Sequence, residues 1–461
     1  MKQDHAVYRR KPTVRLIATT VRTDFQRYGP EELSAFGALG CFEEKTPTQL
    51  HEEMSKTKSP EEIEQKKEKV INESSGRGHG SVSDQNAFVF EIEDLTRAAT
   101  LQLCLPQYLS HLQQSLRRAS ATRGYYLPEI IFVSGNGDRA VEVLDASFKL
   151  YEEMSANGIP NEDARYVLPL YTRTNIQTIG DARELTHLHS ISDHGFVPSA
   201  ARSVVEEMIA KASVVAPKLF KRRETNYETL AWYPAAQLYA PKNMTMESII
   251  ASAKDPDHAH FISHKLETET IMMAVQERDE AELANLKHSH NGSVIEGFLA
   301  PMSLAAFHQA IRQRTWDQSV ESIFHAAVRG SYLIPPKIRN SAFADRFIAQ
   351  TQAMQRLYHR LVSDGVPQGE AIGVMAHALI VYDLMHVNGW NAIHSIGKRT
   401  CTETQWEIRE IANSMAKYLK CVNPALGSIV APQGDVYSRC PERKPCGLCK
   451  KASNMKPNAA K

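Results

Sequence analysis

The stretch Lys149-Leu150-Tyr151-Glu152-Glu153-Met154-Ser155-Ala156-Asn157-Gly158-Ile159-Pro160 returns, diverged, as Arg356-Leu357-Tyr358-His359-Arg360-Leu361-Val362-Ser363-Asp364-Gly365-Val366-Pro367. The two are offset by 207 residues, the distance from Tyr151 to Tyr358. The same offset pairs Gln102 with Gln309, Ser115 with Ser322, Ala164 with Ala371 and His187 with His394. It also pairs Arg202 with Arg409, Met208 with Met415 and Pro217 with Pro424. One spacing held over so long a span marks a duplication, nearly without insertions.

Working outward, the first copy is expected over 14–220, the second over 227–426, and a Cys- and Lys-rich tail over 427–461. Copies of this size suit a chain of 461 residues, since domains average roughly 100–200 residues. The join Lys221-Arg222-Arg223-Glu224-Thr225 is short and charged, so the copies are expected to pack together.

Each copy reads as helix-rich with a few strands. Val14 begins a strand-like run, and Ala87 to Ile92 alternates as a strand does. Ser59 to Val70 opens with Ser and Pro, continues with acids and ends in lysines, the marks of an exposed helix. Asp94 to Arg118 has a helical apolar stripe that Pro106 either interrupts or restarts as a new segment. Arg202 to Leu219 and Glu407 to Leu419 are corresponding amphipathic helices. The fold class expected is α+β, duplicated, helix-rich around a small sheet in each copy.

Charge excludes some partners. With 54 basic and 53 acidic residues the net charge is +1, which argues against a general nucleic-acid or membrane-surface binder and leaves room for local phosphate pockets. No apolar run reaches the roughly 18 residues of a transmembrane helix. The nearest, Ala371 to Val387, carries His377 and Asp383 and is expected to be a buried helix. The N-terminus lacks the apolar stretch of a signal peptide. Seven cysteines, four of them scattered (Cys41, Cys104, Cys401, Cys421), suggest reduced thiols in a cytoplasm. In the tail, Cys440, Cys446 and Cys449 supply three ligands where structural zinc takes four, so free thiols and no metal are expected there.

Two motifs carry chemistry. Gly76-Arg77-Gly78-His79-Gly80-Ser81-Val82-Ser83-Asp84 has the glycines for close backbone approach, a hydroxyl and an imidazole, as a ligand loop would. Arg312-Gln313-Arg314 is followed after seven residues by Ser322. Arginines two positions apart do not share a helix face, so one can hold a phosphate while the other reaches another group.

In combination these motifs resemble the flavin-dependent thymidylate synthase family. Its signatures are Gly-His-x-Ser-Val, then Phe-x-Phe-x-Ile-Glu, a Ser/Thr-Arg-Ala helix, and Gln-x-x-Arg-His-Arg with Ser-x-Arg seven residues on. The chain shows His79-Gly80-Ser81-Val82, Phe88 to Glu93, Thr96-Arg97-Ala98, Gln102 and Ser115-Leu116-Arg117. It also shows Ala164-Arg165-Tyr166-Val167-Leu168-Pro169, Asp181-Ala182-Arg183-Glu184-Leu185 and Gln405-Trp406-Glu407-Ile408-Arg409. Copy one departs by carrying Leu105-Pro106-Gln107 for Arg-His-Arg and Ser192 for a late arginine. Copy two departs at Gln313, at Ile372 (the place of Arg165) and in the looser loop His288 to Ser293 with Glu296.

The resemblance implies reductive methylation of dUMP to dTMP, with FAD as redox carrier and methylenetetrahydrofolate and NADPH as co-substrates. Arg399 is then the catalytic residue, stabilising charge at the uracil edge. Cofactor-binding positions are His79, Ser81, Asp84, Arg183, His187, Arg312, Gln313, Arg314, Asn388 and His394. Substrate-binding positions are Gln102, Ser115, Arg117, Arg165, Gln309, Ser322 and again Arg399. Because the losses in the two copies are complementary, the resemblance implies composite sites that join Arg165 to the copy-two residues. It also implies a homodimer with the outline of the family's tetramer. Two other functions fit the degenerate motifs: a non-catalytic flavin- or nucleotide-binding scaffold or sensor, and a flavoenzyme acting on another uridine-type nucleotide.

Overall fold

The computed structural model describes residues 11–23, 28–76, 80–106, 108–221, 238–240, 247, 250–251, 259–265, 295–311, 313, 316–388, 391–436 and 446–449. The first sheet contains β1 (Thr13–Thr19), β2 (Phe88–Thr96), β3 (Ser110–Gln113) and β4 (Arg173–Gly180) in the order β1-β2-β4-β3. The second contains β5 (His260–Lys265), β6 (Ile295–Ser303), β7 (Asp317–Val320) and β8 (Ile380–Asn388) in the order β5-β6-β8-β7. All pairings are antiparallel. Alternation decides the inner face of β2: Phe88, Phe90 and Ile92 are fully buried, while Glu91 between them is exposed.

Repetition of sequence is repetition of structure. β3 and β7 start at Ser110 and Asp317, and β4 and β8 at Arg173 and Ile380, each 207 residues apart. Helix α6 (Gly137–Ala156) recurs as the helix Ala344–Ser363, and α9 (Ser199–Val215) as the helix Trp406–Val422, at the same offset of 207. Both long helices, α6 and its repeat, are followed by a glycine in the left-handed region, Gly158 at φ 83° and Gly365 at φ 84°, a conformation that favours glycine.

One difference breaks the register. In copy one a bulge between Ile92 and Leu95 inserts a residue, and Asp94 sits there at φ 59°. In copy two β6 pairs with β8 without interruption from Ile295↔Asn388 to Ser303↔Ile380. Upstream of the bulge the copies are therefore offset by 208, since Phe90 faces Thr178 while Phe298 faces Met385. The carboxylate of Asp94 takes Arg123 Nη1 at 3.0 Å and lies 3.8 Å from Arg173 Nη1. Copy two has Gly330 and Ile380 at those two places.

Helix α3 (Pro60–Gly76) forms where expected, and a capping box starts it. The Ser59 N–H donates to Glu62 Oε2 at 2.8 Å, and the Glu62 N–H donates to Ser59 Oγ at 3.3 Å. Two expectations are corrected. The helix expected over 94–118 is only α4 (Arg97–Cys104), because Pro106 cannot continue it and the chain turns into β3. The buried helix expected over 371–387 is a short turn and then β8, because the β-branched and aromatic run Ile380-Val381-Tyr382 pairs with β6, and Asp383 to His386 pair with β6 on one edge and β7 on the other. Among the described residues no helix is long and apolar enough to cross a membrane.

The chain divides into two compact units, Met1–Ala235 with Ile334–His377, and Ala236–Leu333 with Ala378–Lys461. A segment of copy two thus belongs to the unit built on copy one. Within that unit α6 packs on its own repeat, the helix Ala344–Ser363, with Arg346 Nη1 2.6 Å from Glu153 Oε2 and Gln350 Nε2 donating to Val143 O at 2.6 Å. Further on, Leu170 N–H donates to Met375 O and Tyr171 N–H to Gly373 O, both at 2.8 Å. A Cβ at Gly373 would fall inside the Tyr171 ring, so the approach requires glycine.

Candidate functional site

In the second unit Arg399 ends a short helix (Gly397–Arg399) that continues a π-helical turn (Ala392–Ile396), a form of helix frequent at functional sites. His394 lies in that turn. Asn388 ends β8, and its Oδ1 accepts from Asn391 N–H at 2.8 Å, which fixes the start of the turn. Trp316 Nε1 donates to Ser395 Oγ at 2.7 Å. With its amide oxygen facing the guanidinium, Gln313 accepts from Arg399 Nε at 3.2 Å and Nη2 at 2.5 Å. Burial pulls the Arg399 pKa below its ordinary value, which raises the worth of that neutral partner.

Ser322 precedes the helix Ile323–Arg329, is 1% exposed, and has no hydrogen-bond partner for Oγ among the described residues. Beside it the fully buried Glu321 accepts from Arg329 Nη2 at 2.6 Å and from Tyr382 N–H at 3.1 Å, and lies 2.8 Å from His325 Nδ1. Gln309 is half-buried on the helix Leu304–Ala310. Arg312 and Arg314 lie outside the described residues, as does the loop His288 to Ser293.

In the first unit Arg165 is 7% exposed. Its Nε donates to the Glu162 carbonyl at 3.1 Å, and its Nη2 has no hydrogen-bond partner among the described residues. Arg117 Nε lies 3.2 Å from the carboxylate of the same Glu162. Glu162 therefore joins Ser115-Leu116-Arg117 to Arg165, two motifs some fifty residues apart in sequence. The Ser115 Oγ accepts from Arg117 N–H at 3.3 Å, which shapes the turn. Arg97, from the Thr-Arg-Ala segment, donates to Gln114 O at 2.7 Å and anchors the residue before Ser115. His377, contributed by copy two, is held neutral here: burial first, then Arg97 and Arg165, push its pKa down to about 3.

A second copy-one cluster joins Asp84 to α8 (Ala182–Ser192), with Asp84 Oδ2 3.0 Å from Arg183 Nη1. Asp181 caps α8 by accepting from Glu184 N–H at 2.8 Å, and burial raises its pKa to about 6. His187 is buried, 3.5 Å from Glu184 Oε1. Ser81 is exposed, and His79 lies outside the described residues. At the place of Arg399, Ser192 is 2% exposed, and Gln102 Nε2 donates to its Oγ at 3.1 Å.

The residues brought together are thus Arg117 with Arg165, Asp84 with Arg183, Gln102 with Ser192, and Gln313 with Arg399. Sequence reasoning missed Glu162, Glu321, Arg329 and His377. Glu162 stands three residues before Arg165, a spacing at which a carboxylate can share a turn with an arginine, and that signal could have found it.

A protein-family sequence profile described as "Thymidylate synthase complementing protein" matches residues 18–218 and again 241–425. The chain belongs to this family. Among its curated relatives are proteins named flavin-dependent thymidylate synthase. That of Sulfolobus acidocaldarius is 30% identical over 199 residues, 42% of this chain and 71% of the relative. That of Geobacter sulfurreducens is 33% identical over 178 residues, 37% of this chain and 72% of the relative. That of Saccharolobus solfataricus is 32% identical over 148 residues, 31% of this chain and 56% of the relative, so the match spans little more than half of that protein. A solved structure described as a UMP/dUMP methylase PolB from Streptomyces cacaoi, bound with 5-Br dUMP, aligns over 47% of this chain and 95% of its own. Its sequence identity is 17% and its TM-score 0.37.

Proposed function

We propose that the chain is an FAD-dependent thymidylate synthase that methylates dUMP reductively, taking its carbon from methylenetetrahydrofolate and its electrons from NADPH. Family membership supports the reaction class. The observation that carries the substrate assignment is the pair Arg117 and Arg165 meeting at Glu162, with Arg165 Nη2 buried and unused. A buried guanidinium nitrogen without a partner costs free energy that a phosphate oxygen would recover, and charge-assisted bonds to phosphate are the strong kind. Ser322 Oγ, buried and unused in copy two, offers a further donor.

The donor set suits a flavin nucleotide as well: Arg183, His187, Asn388 and His394 would hold it, with Asp84 keeping Arg183 in place. FAD, when bound, supplies the hydride chemistry, so no cysteine nucleophile is required. Arg399 stabilises negative charge developing on the uracil edge, since an arginine is a poor proton acceptor at its ordinary pKa. Gln313 keeps the guanidinium in one orientation for that task. The complementary losses support composite sites in which Arg165 of copy one serves with Ser322, Asn388, His394 and Arg399 of copy two, carried in a homodimer.

The visible spectrum of the purified full chain, titrated with FAD and then NADPH with and without dUMP, tests the proposal. Flavin absorbance that NADPH bleaches and dUMP influences is expected. A colourless protein that FAD leaves unchanged would favour the non-catalytic relative, a function that Ser192 in place of an arginine also suits.

A further inference from the structure

Asn86 stands between the turn Gly80–Val82 and β2, is 7% exposed, and belongs to none of the motifs that carry chemistry. Its side chain reaches three separate parts of the first unit. Nδ2 donates to Ser83 O at 2.9 Å and to Ser34 Oγ at 3.0 Å, and Oδ1 accepts from Ala182 N–H at 2.8 Å. Ser34 is fully buried on α1 (Pro30–Gly40), and Ala182 is the first residue of α8. A carbonyl can only accept and an N–H can only donate, so the partners fix which end of the amide is oxygen. One of the N–H groups that α8 cannot satisfy within itself is met in this way.

The place of these bonds is what matters. Ser83 precedes Asp84 and Ala182 precedes Arg183, so Asn86 grips the backbone one residue before each member of the Asp84–Arg183 ion pair. That ion pair does not hold itself in place: its side chains are 33% and 39% exposed, and such pairs contribute little. Asp84 Oδ1 is buried and takes no hydrogen bond among the described residues, which leaves an acceptor for a ligand hydroxyl or N–H. On α8, His187 follows Arg183 by four residues and so lies on the same side of the helix. At the offset of 208 that holds upstream of the bulge, copy two has Val294, whose side chain makes no hydrogen bond.

We propose that Asn86 is the positioning residue of the copy-one half of the flavin site, clamping the segment that carries Asp84 to the start of the helix that carries Arg183 and His187. This deepens the flavin reading above and rests on it. Asn86 acts through Asp84 and Arg183 and is not a catalytic residue. The bonds to Ser83 and Ala182 are the clamp, and the bond to Ser34 serves only to seat α1.

The test uses the full chain. FAD affinity is read from flavin fluorescence, and amide exchange is followed without FAD over 81–85 and 182–187. Asn86→Ala should lower FAD affinity about tenfold. It should also speed exchange in both segments at least roughly threefold, since both ends of the clamp open. Asn86→Asp keeps the volume and the acceptor for Ala182 but, when ionised, offers Ser83 no donor, so exchange should rise over 81–85 alone. Ser34→Ala should leave FAD affinity and both segments unchanged. An Asn86→Ala chain that unfolds more easily yet binds FAD as the wild type does overturns the proposal. So does exchange that rises in only one segment of that variant, or an equal loss of FAD affinity in Ser34→Ala. A wild-type chain that binds no FAD overturns the flavin reading instead, and the exchange of the three variants then decides the clamp by itself.

Discussion

Gln313 accepts two hydrogen bonds from Arg399, at 3.2 Å and 2.5 Å, and so holds a partly buried guanidinium with a neutral amide. Gln313→Ala leaves that charge without its partner, a loss of on the order of 1.5–3 kcal/mol. The expected result is a ten- to hundredfold fall in kcat/KM for dUMP, roughly what that energy implies. Arg399→Ala and Arg165→Ala should each abolish dTMP formation. Wild-type turnover in either would end the composite site.

Glu162 positions Arg117 and Arg165 from opposite ends of one residue, by carboxylate and by carbonyl. Glu162→Ala leaves the Arg117 guanidinium without its carboxylate while the carbonyl that holds Arg165 stays, and dUMP affinity by calorimetry should fall about tenfold. Glu162→Gln, which keeps an acceptor, should lose less. Equal losses would mean that the charge, not the position, is what matters.

Asp94 combines a left-handed backbone with a carboxylate shared by Arg123 and Arg173, of which Arg173 is 3% exposed. Asp94→Ala retains the backbone strain and strips a buried cation of a partner. Denaturant unfolding should show a loss of on the order of 3 kcal/mol or more. Asp94→Asn, which tolerates the same conformation, should lose less.

Asp383 is fully buried on β8 with neither oxygen hydrogen-bonded among the described residues, and burial raises its pKa to about 8. The corresponding residue of sheet one is Ile176, facing Ile92 where Asp383 faces Ala300. A raised carboxyl pKa means that the folded state holds a proton which the unfolded state has lost. Its stabilising effect is complete below about pH 4 and declines, by on the order of a kcal/mol per unit, until pH passes about 8. Asp383→Ile should therefore raise Tm most at alkaline pH and flatten the profile between those limits. A profile that keeps its slope would absolve Asp383.

Much of the architecture could be read in advance. Ser59 and Glu62 marked the start of α3, and Phe88, Phe90 and Ile92 showed the inner face of β2, because caps and alternation are local. The run from Ala371 to Val387 misled, because a short apolar stretch has the same composition as a buried strand or a buried helix, and only its pairing partners distinguish them. The bulge at Asp94 was equally hidden: one inserted residue shifts a ladder without altering the hydrophobic pattern on either side. In the site, Arg117 and Arg165 were identified by their motifs, but not their meeting at Glu162.

The sequence by itself determined the duplication and the family, since a constant spacing and a set of motifs are properties of order along the chain. Tertiary structure alone decided that residues 334–377 leave their own copy and complete the unit built on the other. The physical reason lies in what an amphipathic helix specifies. Its periodicity says that a face must be buried, but not against what, and α6 and its repeat satisfy that need against each other.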